Sequence, residues 1–380
     1  MKKICFIVDN IYSLGGIQKI VTELSNKLVD KYKITIINQY NKKNKRIYDY
    51  KLDKKINVLT IDNNFFFIDK IIFFPFRLLR FIILKLKINN SFSNRIMSFD
   101  YKIIKRRRFI RFFNKEKFDY ILAEGFNNCF YMAKIKDYMN SKIIGCWHSS
   151  YFNYYNLYNE KDIIYSLKRI NTFVLTKYDA FLIKEKYNID VNYIYNFIDS
   201  KKIETADLSN KTFVAVGRYN SIKGYDRLID IYNDFFNYNK EWKLYIVGDG
   251  PEHDKLQKLI DINNLSNNII LTGGTNNVEK YYKKSSVFLM TSYGEGFPMV
   301  ILEAMKFGLP IIAYDIPVLH EILPNNKYIV EQNDKRQFVN LMVNLSKSEE
   351  LRKKIGYKNM IKCRDFYDTI IVKKWLDILK

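Results

Sequence analysis

The sequence predicts an α/β protein built from two doubly wound, parallel-sheet domains. Three observations carry this. Apolar runs of strand length alternate with amphipathic, helix-length stretches from end to end, the pattern of repeated βαβ units. Several of those runs stop at glycine-bearing turns, and in open α/β sheets ligands bind just there, beyond the carboxyl ends of strands. At 380 residues the chain exceeds one typical domain, and the polar stretch Asn196–Asn210 parts it into halves alike in plan, with no detectable repeat.

In the first half, Ile4–Val8 is strand-like and leads into Asn10–Gly16. The helix Ile17–Val29 follows, with Ile20, Val21, Leu24 and Leu28 on one face. The pair Gly15-Gly16 either lets a ligand approach the backbone or makes a tight turn. Lys33–Asn38 and Asn57–Ile61 are further short strands. Residues 63–113 then break the pattern. Ile71–Ile88 is helical in character, with Pro75 near its start. Lys70, Arg77, Arg80, Lys85 and Lys87 fall on about half of the wheel, and Phe74, Leu78, Phe81, Ile82 and Leu86 cover much of the rest. A second basic cluster, Lys105–Arg108 with Arg111, is flanked by Tyr101, Phe109, Phe112 and Phe113. Basic amphipathic helices with interleaved aromatics suit an anionic membrane surface, so roughly 65–113 is the expected membrane contact. A helix packed on the sheet with a solvated basic face has the same signature. Asp119–Ala123 and Lys142–Cys146 are the next strands. The second runs into Trp147-His148-Ser149-Ser150, which puts His148 at a strand's carboxyl end. A hydrogen-bonded structural histidine is the alternative reading. Thr172–Thr176 and Val191–Ile194 close this half.

The second half restarts with Thr212–Val216, followed by Gly217-Arg218 and, after four intervening residues, Lys223-Gly224. Strand Lys243–Val247 ends in Gly248-Asp249-Gly250-Pro251, and Ile269–Thr272 ends in Gly273-Gly274. Val287–Met290 then opens the unit around which the chain is organised. A polar turn, Ser292–Gly296, is followed by Pro298, placed where a helix can begin. That helix should end at Gly308, with Pro310 just beyond, and Ile311–Ala313 is the next strand. Glu295 lies in the turn and Glu303 about a turn and a half into the helix. Helices fill Lys335–Lys380.

Free N–H groups at a helix start favour a phosphate, and a carboxylate beside them can accept hydrogen bonds from a diol. The pair Glu295 and Glu303 at such a start suits a nucleotide or nucleotide sugar. An ordinary βαβ turn with solvated glutamates is the alternative. Arg218 and Lys223 on a neighbouring loop add the two cations of a diphosphate site. Across a cleft the first half would offer Gly15-Gly16 and His148. Together these suit departure of a nucleoside diphosphate from a sugar carbon, with the cations stabilising the leaving group. A Ser-His-Asp hydrolase reading is poor, because no G-x-S-x-G elbow exists.

Composition narrows the class less. The 63 basic against 40 acidic side chains leave a formal charge of +23, which favours polyanionic partners. Biased codon usage, visible in the excess of Lys, Asn, Ile, Tyr and Phe, is a competing cause. Cys5, Cys129, Cys146 and Cys363 are not closely spaced, so neither a zinc site nor a disulfide framework is suggested and reduced, buried thiols are expected. The first apolar run is too short for a signal peptide, and no run approaches the ~18 residues of a spanning helix.

The motifs of the second half resemble those of glycosyltransferase family 4, the group 1 glycosyltransferases. The resemblance runs from Gly15 to the last helix and is strongest over Gly217–Ala313. The family's G-R-x(4)-K-G is present as Gly217, Arg218, Lys223 and Gly224. Its G-x-G-P is Gly248 to Pro251. Its E-G-F-x(5)-E-A-M-x-x-G-x-P is Glu295, Gly296, Phe297, Glu303, Ala304, Met305, Gly308 and Pro310. The resemblance implies the GT-B fold, two Rossmann-like domains facing across a cleft. The first, 1–198, would bind acceptor. The second, 199–365, would bind the nucleotide sugar, and the helix 366–380 would cross back onto the first.

By the same resemblance Arg218 and Lys223 grip the donor diphosphate and Glu303 holds the ribose hydroxyls. Glu295 lies against the donor sugar, and Gly296, Phe297 and Pro298 complete the site. Gly15, Gly16, Gly248 and Gly273 are further donor-binding positions, and His148 matches the family's cleft histidine. His148, Glu295, Arg218 and Lys223 form the implied catalytic set. Two departures are visible: the linker motif N-G-x-D is Asn196-Phe197-Ile198-Asp199, and Ile17-Gln18 follows the glycine pair where Ala-Glu is usual. The implied activity retains the anomeric configuration and needs no metal and no cofactor, the donor being a UDP- or GDP-linked substrate. No carboxylate offers itself for a double displacement, so attack from the donor's own face is expected, with the donor phosphate helping to remove the acceptor proton.

The expected protein is therefore a cytoplasmic glycosyltransferase, peripheral to the inner face of the cell membrane. It would extend a lipid-linked or glycan acceptor in cell-surface polysaccharide synthesis. The alternatives are a catalytically silent GT-B nucleotide-binding module and a basic nucleic-acid-binding protein. No nucleic-acid module signature is present, and no nucleic-acid partner is expected.

Overall fold

The computed structural model describes residues 1–13, 15–39, 51–60, 78, 106, 107, 109–323 and 327–380. Most of the basic aromatic segment 65–113, including the expected helix Ile71–Ile88, lies outside the described residues. Where its end is described, a helix covers 109–116. Phe109 and Phe113 are buried there, with ring centroids 5.5 Å from Tyr131 and 6.0 Å from Phe118 respectively. Arg106, Arg107 and Arg111 are exposed. The buried aromatics of this cluster thus serve the core, and its described arginines face solvent.

The strands are β1 (Lys3–Val8), β2 (Lys33–Asn38), β3 (Asn57–Thr60), β4 (Tyr120–Glu124), β5 (Lys142–Cys146), β6 (Asn171–Val174) and β7 (Asn192–Tyr193). They form one sheet in the order β3-β2-β1-β4-β5-β6-β7. A second set comprises β8 (Thr212–Val216), β9 (Lys243–Val247), β10 (Ile269–Leu271), β11 (Val287–Met290), β12 (Ile311–Tyr314) and β13 (Ile329–Val330). Its order is β10-β9-β8-β11-β12-β13. In both sheets the order runs outward from the first strand and then reverses, the doubly wound arrangement. The pairings β1 to β2, β1 to β4, β8 to β9 and β8 to β11 are parallel. The central strands are buried on both faces, as parallel sheets require: Ile4, Cys5, Phe6 and Ile7 in β1, and Phe213 and Val214 in β8, are fully enclosed.

Helices cover the second sheet. Tyr225–Phe236 buries Leu228, Ile229, Tyr232 and Phe235, spaced three and four apart, against Phe213, Trp242 and Leu244. On the other face Met299–Lys306 buries Ile301, Leu302, Ala304 and Met305 with Val214, Phe288 and Phe366. The expected strands lie within about two residues of the observed ones. β13 was not anticipated.

The described chain forms two compact units, 1–147 with 155–173, and 148–154 with 174–380. The expected boundary at 198/199 does not coincide with this division. Residues 174–198 group with the later chain, and so does the last helix, Asp368–Ile378. The ties are local. Ile198 N–H donates to the Phe366 carbonyl at 2.9 Å, Asp368 N–H to the Ile198 carbonyl at 2.9 Å, and Ser200 N–H to Asp368 Oδ1 at 3.0 Å. The linker is also fastened by Arg352. Its buried guanidinium donates to the carbonyls of Leu208 at 2.6 Å and Leu345 at 2.7 Å. All four cysteines are buried and free. Among the described residues no helix is long and apolar enough to cross a membrane.

Candidate functional site

In the second sheet the order reverses between β8 and β11, which makes the loops after these strands the rim of a ligand crevice. Four loops meet there. Gly217 N–H donates to the Val247 carbonyl at 2.9 Å, and Tyr219 N–H to the Asp249 carbonyl at 3.0 Å, which joins the loops after β8 and β9. Gly248 bridges Gly273, which brings in the loop after β10. A side chain at Gly248 would run into the Gly217 carbonyl, so this approach requires glycine. Tyr293 N–H donates to the Ile222 carbonyl at 2.8 Å, and Thr291 Oγ1 donates to the Gly224 carbonyl at 2.9 Å, which fastens the loop after β11 to that after β8.

Those bonds hold the charged pair at the centre of the site. Lys223 Nζ lies 2.6 Å from Glu295 Oε1, and both side chains are mostly buried, at 18% and 14% exposure. Ser292 Oγ donates to the same carboxylate oxygen at 2.8 Å. The helix Met299–Lys306 starts directly after this loop. Pro298 is its N-cap rather than its expected first residue, so the helix starts one position later, and no side chain caps it. Ile301 N–H closes on the Pro298 carbonyl at 3.0 Å, and an uncapped helix start carries the partial positive charge that suits an anion. At its far end Gly308 takes φ +76°, with Leu309 N–H on the Ala304 carbonyl and Gly308 N–H on the Met305 carbonyl, each at 3.0 Å. This is a Schellman stop, where the sequence places it. Glu303 Oε2 accepts from Tyr282 OH at 2.8 Å. Burial, with Glu303 beside it, pushes the Tyr282 phenol up, so it stays a donor and fixes the carboxylate's orientation.

The structure thus brings together Lys223, Gly248, Gly273, Glu295, Gly296, Phe297, Pro298 and Glu303. Arg218 stands on the loop after β8, exposed, with no side-chain partner among the described residues. His148 is half-buried, and its backbone N–H donates to Tyr154 OH at 3.0 Å. A Cβ on Gly296 would lie 2.7 Å from Ser149 Cα and 3.0 Å from the His148 carbonyl oxygen, so the His148 backbone abuts the Glu295 loop within the second unit. Phe297 packs inward, 5.7 Å from Tyr195 and 6.0 Å from Phe366, and serves as an anchor of that loop. Gly15 and Gly16 belong to the first unit, on the loop after β1, where its sheet order reverses. Gly16 begins the helix Gly16–Leu28, and Gln18 Nε2 donates back to the Asn10 carbonyl at 3.1 Å.

Sequence reasoning missed Tyr282 and Ser292. Tyr282 comes from the short helix Glu279–Lys283, twenty-one residues from Glu303. No local pattern pairs the two. Ser292 lies three residues before Glu295, and that spacing in a polar turn was the available signal.

The architecture is GT-B, an α/β fold of two Rossmann-like parallel sheets. Solved structures bear this out. A mutant of Staphylococcus aureus TarM, in complex with Fondaparinux, alpha-GlcNAc-glycerol and UDP, matches over 100% of both chains at a TM-score of 0.79 and 16% identity. Residues 196–360 match the family described as glycosyl transferases group 1. The chain is 33% identical over 216 residues to the amylovoran biosynthesis glycosyltransferase AmsD of Erwinia amylovora, covering 54% of this chain and 61% of that protein. It is 32% identical over 181 residues to an uncharacterised glycosyltransferase of Haemophilus influenzae, covering 47% and 51%. The matches thus span between about half and three fifths of these relatives' own length.

Proposed function

We propose that the protein is a retaining glycosyltransferase. It moves a sugar from a UDP- or GDP-linked donor to a lipid-linked or glycan acceptor in cell-surface polysaccharide synthesis. The observation that carries the reading is the Lys223–Glu295 pair beside the uncapped start of the helix Met299–Lys306, with Glu303 on the same helix. Cations and helix amides suit a diphosphate, and oriented carboxylates suit hydroxyls. The names of its relatives support the class of product, since AmsD is named for amylovoran biosynthesis.

In this reading Arg218 and Lys223 hold the diphosphate, Glu303 the ribose and Glu295 the donor sugar, with the His148 backbone beside the Glu295 loop. The bond from the anomeric carbon to the phosphate oxygen breaks, and the acceptor oxygen bonds to that carbon from the same face. The acceptor proton passes to the departing phosphate. The two cations carry the charge that develops on it, so the reading requires no metal. The exposed Arg106, Arg107 and Arg111 support the remaining part, peripheral attachment to an anionic membrane face.

Thermal unfolding with a panel of nucleoside diphosphates and their sugars tests the site. A donor at about a hundred times its Kd adds roughly 2.7 kcal/mol of stability. That gain is expected with one nucleotide sugar and should vanish in Lys223→Ala and Glu303→Ala. No gain with any of them, in folded protein, would leave a silent module or a nucleic-acid binder as the better account.

A further inference from the structure

We infer that Arg227 is a positioning residue for the diphosphate site, holding the Glu295 loop in register with Lys223. The inference rests on the donor-site reading above. Arg227 sits on the first turn of the helix Tyr225–Phe236, three residues after Gly224. Its Nε donates to the Thr291 carbonyl at 2.6 Å, and a second guanidinium nitrogen donates to the same oxygen. A third reaches Gln332 Oε1 at 2.9 Å. Thr291 is the first residue beyond β11, where the ladder ends and its carbonyl has no further strand to accept from. One residue later Ser292 begins the turn that carries Glu295.

The guanidinium is also enclosed by two rings, with Tyr293 at 3.8 Å and Tyr314 at 4.3 Å from its centre. Tyr293 belongs to the Glu295 turn and Tyr314 to β12. Among the described residues no carboxylate lies within ion-pair distance of it. The charge is instead met by two π faces and three oxygens, the third being Asn333 Oδ1 at 3.5 Å, which only a planar fork with several donors satisfies at once. Gln332 continues the brace, donating from Nε2 to the Asp315 carbonyl at 2.7 Å. A single side chain therefore ties the ends of β11 and β12 to the helix that follows Lys223. The reach of Lys223 to Glu295 depends on that registration, whereas the Glu303–Tyr282 contact lies on other elements.

The consequence is selective. Loosening Arg227 should weaken binding at the diphosphate and leave the ribose end intact. The test is titration of UDP and GDP, each beside its monophosphate, against wild type, Lys223→Ala, Arg227→Met, Arg227→Lys and Tyr293→Leu. It is run at low temperature with circular dichroism confirming that each variant is folded. Arg227→Met is expected to lose about tenfold in diphosphate affinity and less than twofold for the monophosphate, with Arg227→Lys between it and wild type. A merely structural role would lower the unfolding midpoint and leave both affinities unchanged, and that outcome overturns the inference. Should Arg227→Met fail to fold, Tyr293→Leu decides. It removes one ring from a half-exposed position and is expected to lose several-fold for the diphosphate alone; unchanged affinity overturns the inference. If wild type binds neither diphosphate, or Lys223→Ala binds like wild type, the donor-site reading itself fails and the inference falls with it.

Discussion

Asp179 is buried, and its desolvation raises its pKa against the opposing hydrogen bonds from Thr176 Oγ1 at 2.6 Å and Tyr151 N–H at 2.8 Å. The sign of the linkage follows. Between the ordinary carboxylate pKa of about 3.9 and the higher native value, the native state keeps a proton that the unfolded chain has released. Stability from this group therefore falls as pH rises through that window and is level above it. Asp179→Asn should remove that fall. Urea unfolding of both proteins from about pH 3.5 to pH 7 should give a difference that grows across the window and then stays constant. Parallel profiles would show that Asp179 titrates alike in both states.

The helix Met299–Lys306 links the core to the site, and its stop can be tested alone. At Gly308 a Cβ would have only the Gly356 carbonyl oxygen and Thr205 Cγ2 nearby, both at 4.0 Å. There is space for a methyl group, so Gly308→Ala isolates the strain of φ +76° in an L-residue. The expected loss is about 1–2 kcal/mol, read by denaturant unfolding at constant m-value. No loss would mean that the Schellman stop does not hold in solution. This element was legible in sequence because its signals are local: an apolar 3.6-residue period, a proline before it and a glycine after it. Its partners were not. Tyr282 and Arg227 meet it or its loop through the β8–β11 neighbourhood, which no window of sequence contains.

The formal charge of +23 acts at the scale of the whole molecule. Part of it lies on Arg106, Arg107 and Arg111, which are exposed, while Phe109 and Phe113 behind them are buried. Membrane attachment in our proposal is therefore electrostatic at this cluster, and salt should weaken it. With about 1 kcal/mol per basic residue near an anionic surface, replacing all three by Gln should lower partitioning onto phosphatidylserine vesicles roughly a hundredfold. Equal partitioning of the triple variant would remove the membrane part of the proposal at this cluster and leave the transfer chemistry standing.

The sequence by itself determined the class of the fold, most strand positions and the loops that carry Lys223, Gly248, Gly273 and Glu295. These are consequences of local period and of turn chemistry, written in consecutive residues. It also placed His148 and Gly15-Gly16 at strand ends. Tertiary structure decided the rest. Hydrogen bonds between Ile198, Phe366 and Asp368 draw 174–198 into one compact unit with the last helix, against the boundary that the polar linker suggested. The reversal of strand order between β8 and β11 brings residues seventy-two apart to 2.6 Å. Which side chains brace that pair depends on which loops become neighbours, and strand order is settled by the packing of whole helices on the sheet.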